Sequence, residues 1–144
     1  MLGIVLAAGG GTRLRPLTDT LPKTLLPVEG DRTIFELAIA NLRAVDITDV
    51  VVVTGHGAKL IDDAATDLER RYGLTLHPVF NDRYADWNNA YSLWLARDAF
   101  RESALLINGR LMTSVIFIPP EPPAVSRALH ASRSRARCRR CRAR

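Results

Sequence analysis

The sequence predicts an α/β fold, a Rossmann-like doubly wound sheet with mainly parallel strands. Three observations carry this expectation. Apolar runs of strand length alternate with longer stretches whose apolar residues recur at helical spacing. A cluster of three glycines follows the first run at once. Each helix stands between two runs, so the connections are right-handed crossovers between parallel strands.

Leu2–Ala7 is a continuous apolar run, the pattern of a strand buried on both faces. Thr33–Val45 sets Ile34, Leu37, Ala38, Asn41 and Leu42 at helical spacing, with Asp31 or Thr33 as N-cap. Asp49–Thr54, with Val50 to Val53 at its centre, is a second buried strand. Ala58–Tyr72 is polar apart from a stripe of Leu60, Ile61, Ala64, Ala65 and Leu68, and Gly73 closes it as a C-cap. Leu74–Phe80 is a third strand. Asn88–Phe100, carrying Tyr91, Leu93, Trp94, Leu95 and Ala99, is a third helix, and Ala104–Asn108 a fourth strand. Leu111–Ile118 allows one more strand before Pro119-Pro120-Glu121-Pro122-Pro123 ends any regular element. The expected division is a domain over residues 1–110 and an atypical Pro/Arg-rich tail over 111–144, disordered from 119.

The charge divides the same way. Residues 1–123 hold all 15 acidic residues and 12 basic ones, a net of −3, whereas 124–144 hold eight arginines and no acid. A nucleic-acid binder with a uniformly basic domain is excluded by that split, and nucleic acid is not expected as a partner of the folded part. No apolar run reaches the roughly 18–20 residues that span a membrane, so no membrane partner is expected. The N-terminus has no basic segment ahead of its apolar run and reads as a strand, making the cytoplasm the expected location. Cys138 and Cys141 resemble half a zinc site, but a structural site needs four ligands and no second pair exists. His56 and His77 read as surface or loop residues, and Asp62, Asp63 and Asp67 as a solvated acidic helix face.

The chemistry concentrates after the first strand. Leu6-Ala7-Ala8-Gly9-Gly10-Gly11-Thr12-Arg13-Leu14 places glycines where a strand turns into a loop, so that backbone N–H groups can approach a polyphosphate. Arg13 and Arg15 add guanidiniums suited to bidentate phosphate contacts. Lys23 follows between Pro22 and Pro27, which stiffen the segment that carries it. Neither GxGxxG nor GxxxxGK[ST] fits, since position 14 is Leu and no Gly-Lys pair follows.

Residues Leu6 to Thr18, followed by Pro22-Lys23-Thr24-Leu25-Leu26-Pro27-Val28, resemble the signature of the sugar-phosphate nucleotidylyltransferase family. The resemblance implies a nucleotidyltransferase domain that joins an NTP to a phosphorylated small molecule and releases pyrophosphate, with Mg²⁺ bridging phosphates. It implies nucleotide contacts from Leu6, Ala8, Gly9, Gly10, Gly11 and Thr12, and phosphate contacts and charge stabilisation from Arg13 and Lys23. A second stretch, Asn81 to Trp94, is similar to bacterial phosphocholine cytidylyltransferases. That similarity implies CTP as donor and a phosphorylated small alcohol such as phosphocholine as acceptor. Asn88, Asn89 and Ser92 open a helix at the ligand-binding edge of the sheet, where amides and a hydroxyl can read a base or headgroup. Trp87, with Tyr84 and Asp86, suggests a box for a quaternary ammonium, while Tyr91 and Trp94 are read as packing residues.

The resemblance stops near residue 109. Arg110 stands where the family carries a metal-binding carboxylate, so no metal ligand is assigned and the domain is expected to be incomplete and weakly active. Two lysines against 18 arginines fit GC-rich coding, and the Arg, Ala, Pro, Ser and Cys of the tail fit off-frame reading of such DNA; a frameshift near codon 110 is one origin and a genuine short variant the other. The alternative functions are a sugar-1-phosphate nucleotidylyltransferase and a nucleotide-binding pseudoenzyme whose basic tail engages acidic partners.

Overall fold

A computed structural model describes residues 1–87, 89–101, 103–108 and 115–118. Five strands form one sheet. β1 (Leu2–Leu6) lies at its centre, between β4 (Asp49–Thr54) and β6 (Ala104–Asn108). β5 (Thr75–Phe80) extends the sheet beyond β4, and β7 (Val115–Ile118) extends it beyond β6. All pairs are parallel except β6 with β7; the sheet is mainly parallel, as the alternating pattern predicts, and carries one antiparallel edge. Residues 119–144, with Cys138, Cys141 and the expected disorder, lie outside the described residues, as does Arg110.

The apolar runs of β1, β4 and β6 follow from burial on both faces. Val5 and Ala7 point to one side, where they meet Phe35, Ile39 and Leu42 of α1 (Ile34–Ala44) and Ile61 and Leu68 of α2 (Ala58–Tyr72). Ile4, Leu6 and Ala8 point to the other, against Ala96, Ala99 and Leu106. This period of two on both faces is what makes the runs continuous.

Local signals set the helix ends. Thr33 Oγ1 accepts the Glu36 N–H at 3.1 Å and caps α1, which decides between the two N-cap candidates. The Glu36 carboxylate, instead of closing a capping box, accepts from Tyr72 Oη at 3.0 Å and pairs with Arg71 at 2.9 Å, fastening α1 to the end of α2. Gly73, at φ 62°, ends α2 with its N–H on the Glu69 carbonyl.

Two features differ from expectation. Pro27–Glu29 (β2) and Arg32–Thr33 (β3) pair as a small antiparallel hairpin, too short and too exposed to leave an apolar pattern. The third helix is shorter than its spacing predicts: α3 covers Asn89–Leu95, and Arg97–Arg101 continue as a 3-10 turn. The tighter turn eclipses residues three apart, which sets both Ala96 and Ala99 against the sheet. No helix among the described residues is long and apolar enough to cross a membrane.

Candidate functional site

The site lies beyond the carboxyl end of β1, between the loop that follows β1, the turn Lys23–Leu25, α3 and the last residue of β6. Ala7 N–H donates to the Val53 carbonyl at 2.8 Å and His56 N–H to the Ala8 carbonyl at 3.1 Å, so the chain stays on the sheet edge until Ala8 and then departs as the glycine loop. Gly11 turns that loop at φ 63°, a conformation that favours glycine. It is also a crossing point. A Cβ there would stand 2.9 Å from Thr18 Cγ2 and 3.0 Å from Lys23 Cβ, while Thr18 Oγ1 donates to the Gly11 carbonyl at 2.9 Å. The Lys23 segment is clamped from the far side as well: a Cβ on Gly57, at φ 64°, would collide with Pro22 Cγ, and Pro22 is fully buried.

The resulting cleft, about 400 Å³ in volume, is lined by Leu6, Ala7, Ala8, Gly9, Gly11, Thr12, Arg13, Leu14, Lys23 and Thr24 from one side and Asn89, Ser92 and Asn108 from the other. Most of the residues named from the sequence for nucleotide contact thus meet in one cavity. Gly10 does not line it and faces the His56 ring instead. Arg15 does not line it; its side chain is exposed and 3.3 Å from Asp19. Among the described residues the lining holds Arg13 and Lys23 but no Asp or Glu, which makes it a positive, anion-attracting cavity.

The opposite wall is organised by a residue that the sequence reading did not single out. Asn81 follows β5, is 1% exposed, and accepts the Arg83 N–H on Oδ1 at 2.8 Å. With its oxygen so engaged, its Nδ2 donates to Ser92 Oγ at 2.9 Å, which fixes the inner face of α3. Asn89 Nδ2 reaches Asn108 Oδ1 at 3.5 Å and links α3 to the end of β6. Asn88 lies outside the described residues.

Asp86 and Trp87 do not line this cavity. Tyr84 packs by its ring on His56, with centroids 6.1 Å apart, while Trp87 packs edge-on against Tyr91 at 5.0 Å. Tyr91 in turn stacks on Trp94 at 5.6 Å. Trp87 and Trp94 are more than half exposed, so Trp94 packs on Tyr91 at the surface of α3, while the inward side of the helix belongs to Ser92. The Arg97 guanidinium lies 4.3 Å from the Trp94 ring and that of Arg83 6.0 Å from Trp87, so cations of the chain itself already accompany these rings.

A divalent cation of the kind the family resemblance implies calls for oxygen donors with charge. Among the described residues no three His, Cys, Asp or Glu side chains converge, and the cavity offers only amide and hydroxyl oxygens. The described residues therefore do not fit such an ion.

A mainly parallel sheet with a cationic, glycine-bordered cleft at the carboxyl end of its central strand has its cavity where open α/β sheets bind their ligands. Residues 2–115 match the nucleotidyl transferase family, and the chain belongs to that family. It is 40% identical over 106 residues to a choline-phosphate cytidylyltransferase of Streptococcus pneumoniae, a match covering 74% of this chain and 43% of that one. The solved structure of a CTP:phosphocholine cytidylyltransferase from Streptococcus pneumoniae superimposes with a TM-score of 0.62 at 38% identity, over 75% of this chain and 44% of that one. A mannose-1-phosphate guanyltransferase of Candida albicans is 37% identical over 76 residues, 53% of this chain and 21% of that one. The chain thus spans less than half the length of these relatives.

Proposed function

We propose that the chain is the nucleotide-binding part of a cytidylyltransferase that moves CMP from CTP onto a phosphorylated small alcohol of the phosphocholine kind and releases pyrophosphate. One observation carries the reading: the glycine loop, Arg13 and Lys23 on one wall and Asn89, Ser92 and Asn108 on the other line a single cleft. The similarity to enzymes named for choline-phosphate supports the choice of base and acceptor. In this reading residues 1–110 form the nucleotide-binding unit, with Val115–Ile118 adding an edge strand to its sheet.

The reaction is an in-line displacement. An acceptor phosphate oxygen attacks the α-phosphorus of CTP, the bond from that phosphorus to the bridging oxygen breaks, and pyrophosphate leaves with the electron pair. Backbone N–H groups around Gly9 and Gly11 cradle the triphosphate. In this reading Arg13 and Lys23, both in the lining of the cleft, meet the negative charge that grows on the α-phosphoryl and pyrophosphate oxygens and supply the electrostatic part of the rate. Asn89 and Ser92 present the groups that would read the base. Among the described residues the cleft has no carboxylate to hold a metal ion.

Calorimetric titration of CTP, UTP, dTTP and GTP, followed by a pyrophosphate-release assay with phosphocholine and with sugar-1-phosphates, tests the proposal. CTP should bind most tightly and phosphocholine should release most pyrophosphate. Equal affinities for the four nucleotides overturn the cytidylyl assignment, and a preference for GTP with mannose-1-phosphate selects the sugar-phosphate reading that the guanyltransferase similarity favours.

A further inference from the structure

The structure assigns Thr24 to the ligand set of the cleft, with its hydroxyl donating a hydrogen bond to a phosphate oxygen of the bound nucleotide; the assignment rests on the nucleotide-binding reading above. Thr24 is 5% exposed and lines the cavity beside Lys23. Its Oγ1 is buried and has no hydrogen-bond partner among the described residues. Other buried hydroxyls of this region are satisfied: Thr18 Oγ1 donates to the Gly11 carbonyl, and Ser92 Oγ accepts from Asn81 Nδ2. Most buried polar side-chain atoms in proteins are paired, because an unpaired one forfeits its hydration without return. Packing does not explain the hydroxyl, since valine would fill the same volume without that penalty.

The chemistry of the missing partner follows from the neighbours. Thr24 sits in the 3-10 turn Lys23–Leu25, directly behind Lys23, and the glycine loop crosses this turn at Gly11. Arg13 and Lys23 line the same cavity, and no Asp or Glu does so among the described residues. The group that completes this wall is therefore an anion rich in acceptor oxygens. A threonine hydroxyl donating to a phosphate oxygen makes a charge-assisted bond, stronger than one to a neutral acceptor. Stepping χ1 to the next staggered well, about 120° away, gives the hydroxyl a new direction from Cβ without moving the backbone, so the hydroxyl can turn to the ligand when it enters.

The test uses the whole chain, its Thr24→Val and Thr24→Ser variants, calorimetric titration with CTP and with pyrophosphate, and thermal denaturation without ligand. Thr24→Val should melt at the wild-type temperature or above it, having lost an unsatisfied buried group, yet bind CTP and pyrophosphate about tenfold more weakly or worse. Thr24→Ser should bind both within about twofold of wild type, since it keeps the donor. A Thr24→Val variant that binds both as tightly as wild type overturns the assignment, and so does one that melts several degrees lower, which would make the hydroxyl structural. Weakened CTP binding with unchanged pyrophosphate binding overturns the phosphate contact. A wild-type chain that binds neither probe overturns the nucleotide-binding reading and this inference with it.

Discussion

On the wall of the cleft built by residues 9–24, position is set by backbone proximity. Gly11 crosses Lys23 and Thr18 within van der Waals distance, and Pro22 is pressed against Gly57. On the facing wall, position is set by side-chain amides and hydroxyls: Asn81 holds Ser92, and Asn89 reaches Asn108. The first arrangement fits a ligand group that is the same in every nucleotide, because phosphate recognition needs close-packed N–H groups and fixed cations. The second fits a group that varies, because donors and acceptors on side chains can be exchanged one at a time. The two walls should therefore fail differently when altered.

The largest effect is expected at Gly57. Gly57→Ala combines a left-handed backbone with a methyl group driven into Pro22, and should destabilise the chain by about 1–3 kcal/mol while weakening every nucleotide alike through the displaced Lys23 segment. Gly9→Ala is the contrast. A Cβ there meets nothing within 4 Å, so the melting temperature should hold while the methyl obstructs phosphate approach and affinity falls. Thermal denaturation with and without CTP separates the two; equal melting temperatures would show that the Pro22 clamp yields freely.

Lys23→Ala should weaken CTP about tenfold to a hundredfold, the range for a lost charge-assisted hydrogen bond of roughly 1.5–3 kcal/mol. The melting temperature should stay within a few degrees, because alanine keeps the Cβ that packs beside Gly11. A large loss of stability with unchanged CTP affinity would make the residue structural.

The difference between the walls also explains what was legible in the sequence. Glycines, prolines and a lysine within fifteen residues leave a local signature, so Gly9, Gly11, Thr12, Arg13 and Lys23 could be named before any coordinates. Asn81 could not be singled out in this way. Its role depends on Ser92 eleven positions along, and only the fold shows that both side chains turn inward. Thr24 escaped for a related reason, since burial without a partner is a property of packing and not of spacing. The continuous apolar runs of β1, β4 and β6 gave their strands directly, whereas the hairpin Pro27–Glu29 with Arg32–Thr33 has no buried residue to betray it. Spacing alone does not show that the Tyr91–Trp94 packing lies at the surface of α3, because Trp94 has the helical spacing of a core residue while the neighbouring Ser92 occupies the inward face.

Asn81→Ala should act on the second wall in both respects at once. It strands the Arg83 N–H and the Ser92 hydroxyl, at about 1–3 kcal/mol for a buried group left unsatisfied. The ratio of CTP to UTP affinity should fall, while pyrophosphate, which lacks a base, should bind as before. Pyrophosphate binding lost in parallel with CTP would mean that the two walls are not separable.

The smallest effect is expected where the sequence offered two arginines and the fold uses one. Arg13 lines the cleft; Arg15 is two-thirds exposed and spends its charge on Asp19 at 3.3 Å. An exposed pair of this kind contributes about 0–1 kcal/mol, toward the lower end once solvent screening is counted. Arg15→Ala should accordingly shift the melting temperature by no more than about two degrees and leave CTP affinity within about twofold. Arg13→Ala should cost about tenfold in CTP affinity, as expected for a guanidinium on phosphate. The salt dependence sharpens the contrast. A long-range effect of Arg15 through the field of the cleft would fade as ionic strength rises past about 0.15 M, where charges more than about 8 Å apart in solvent are screened, whereas a direct Arg13 contact would persist. An Arg15→Ala loss that equals the Arg13→Ala loss and survives at high salt would place the second guanidinium on the ligand and remove the distinction drawn from the Asp19 pair.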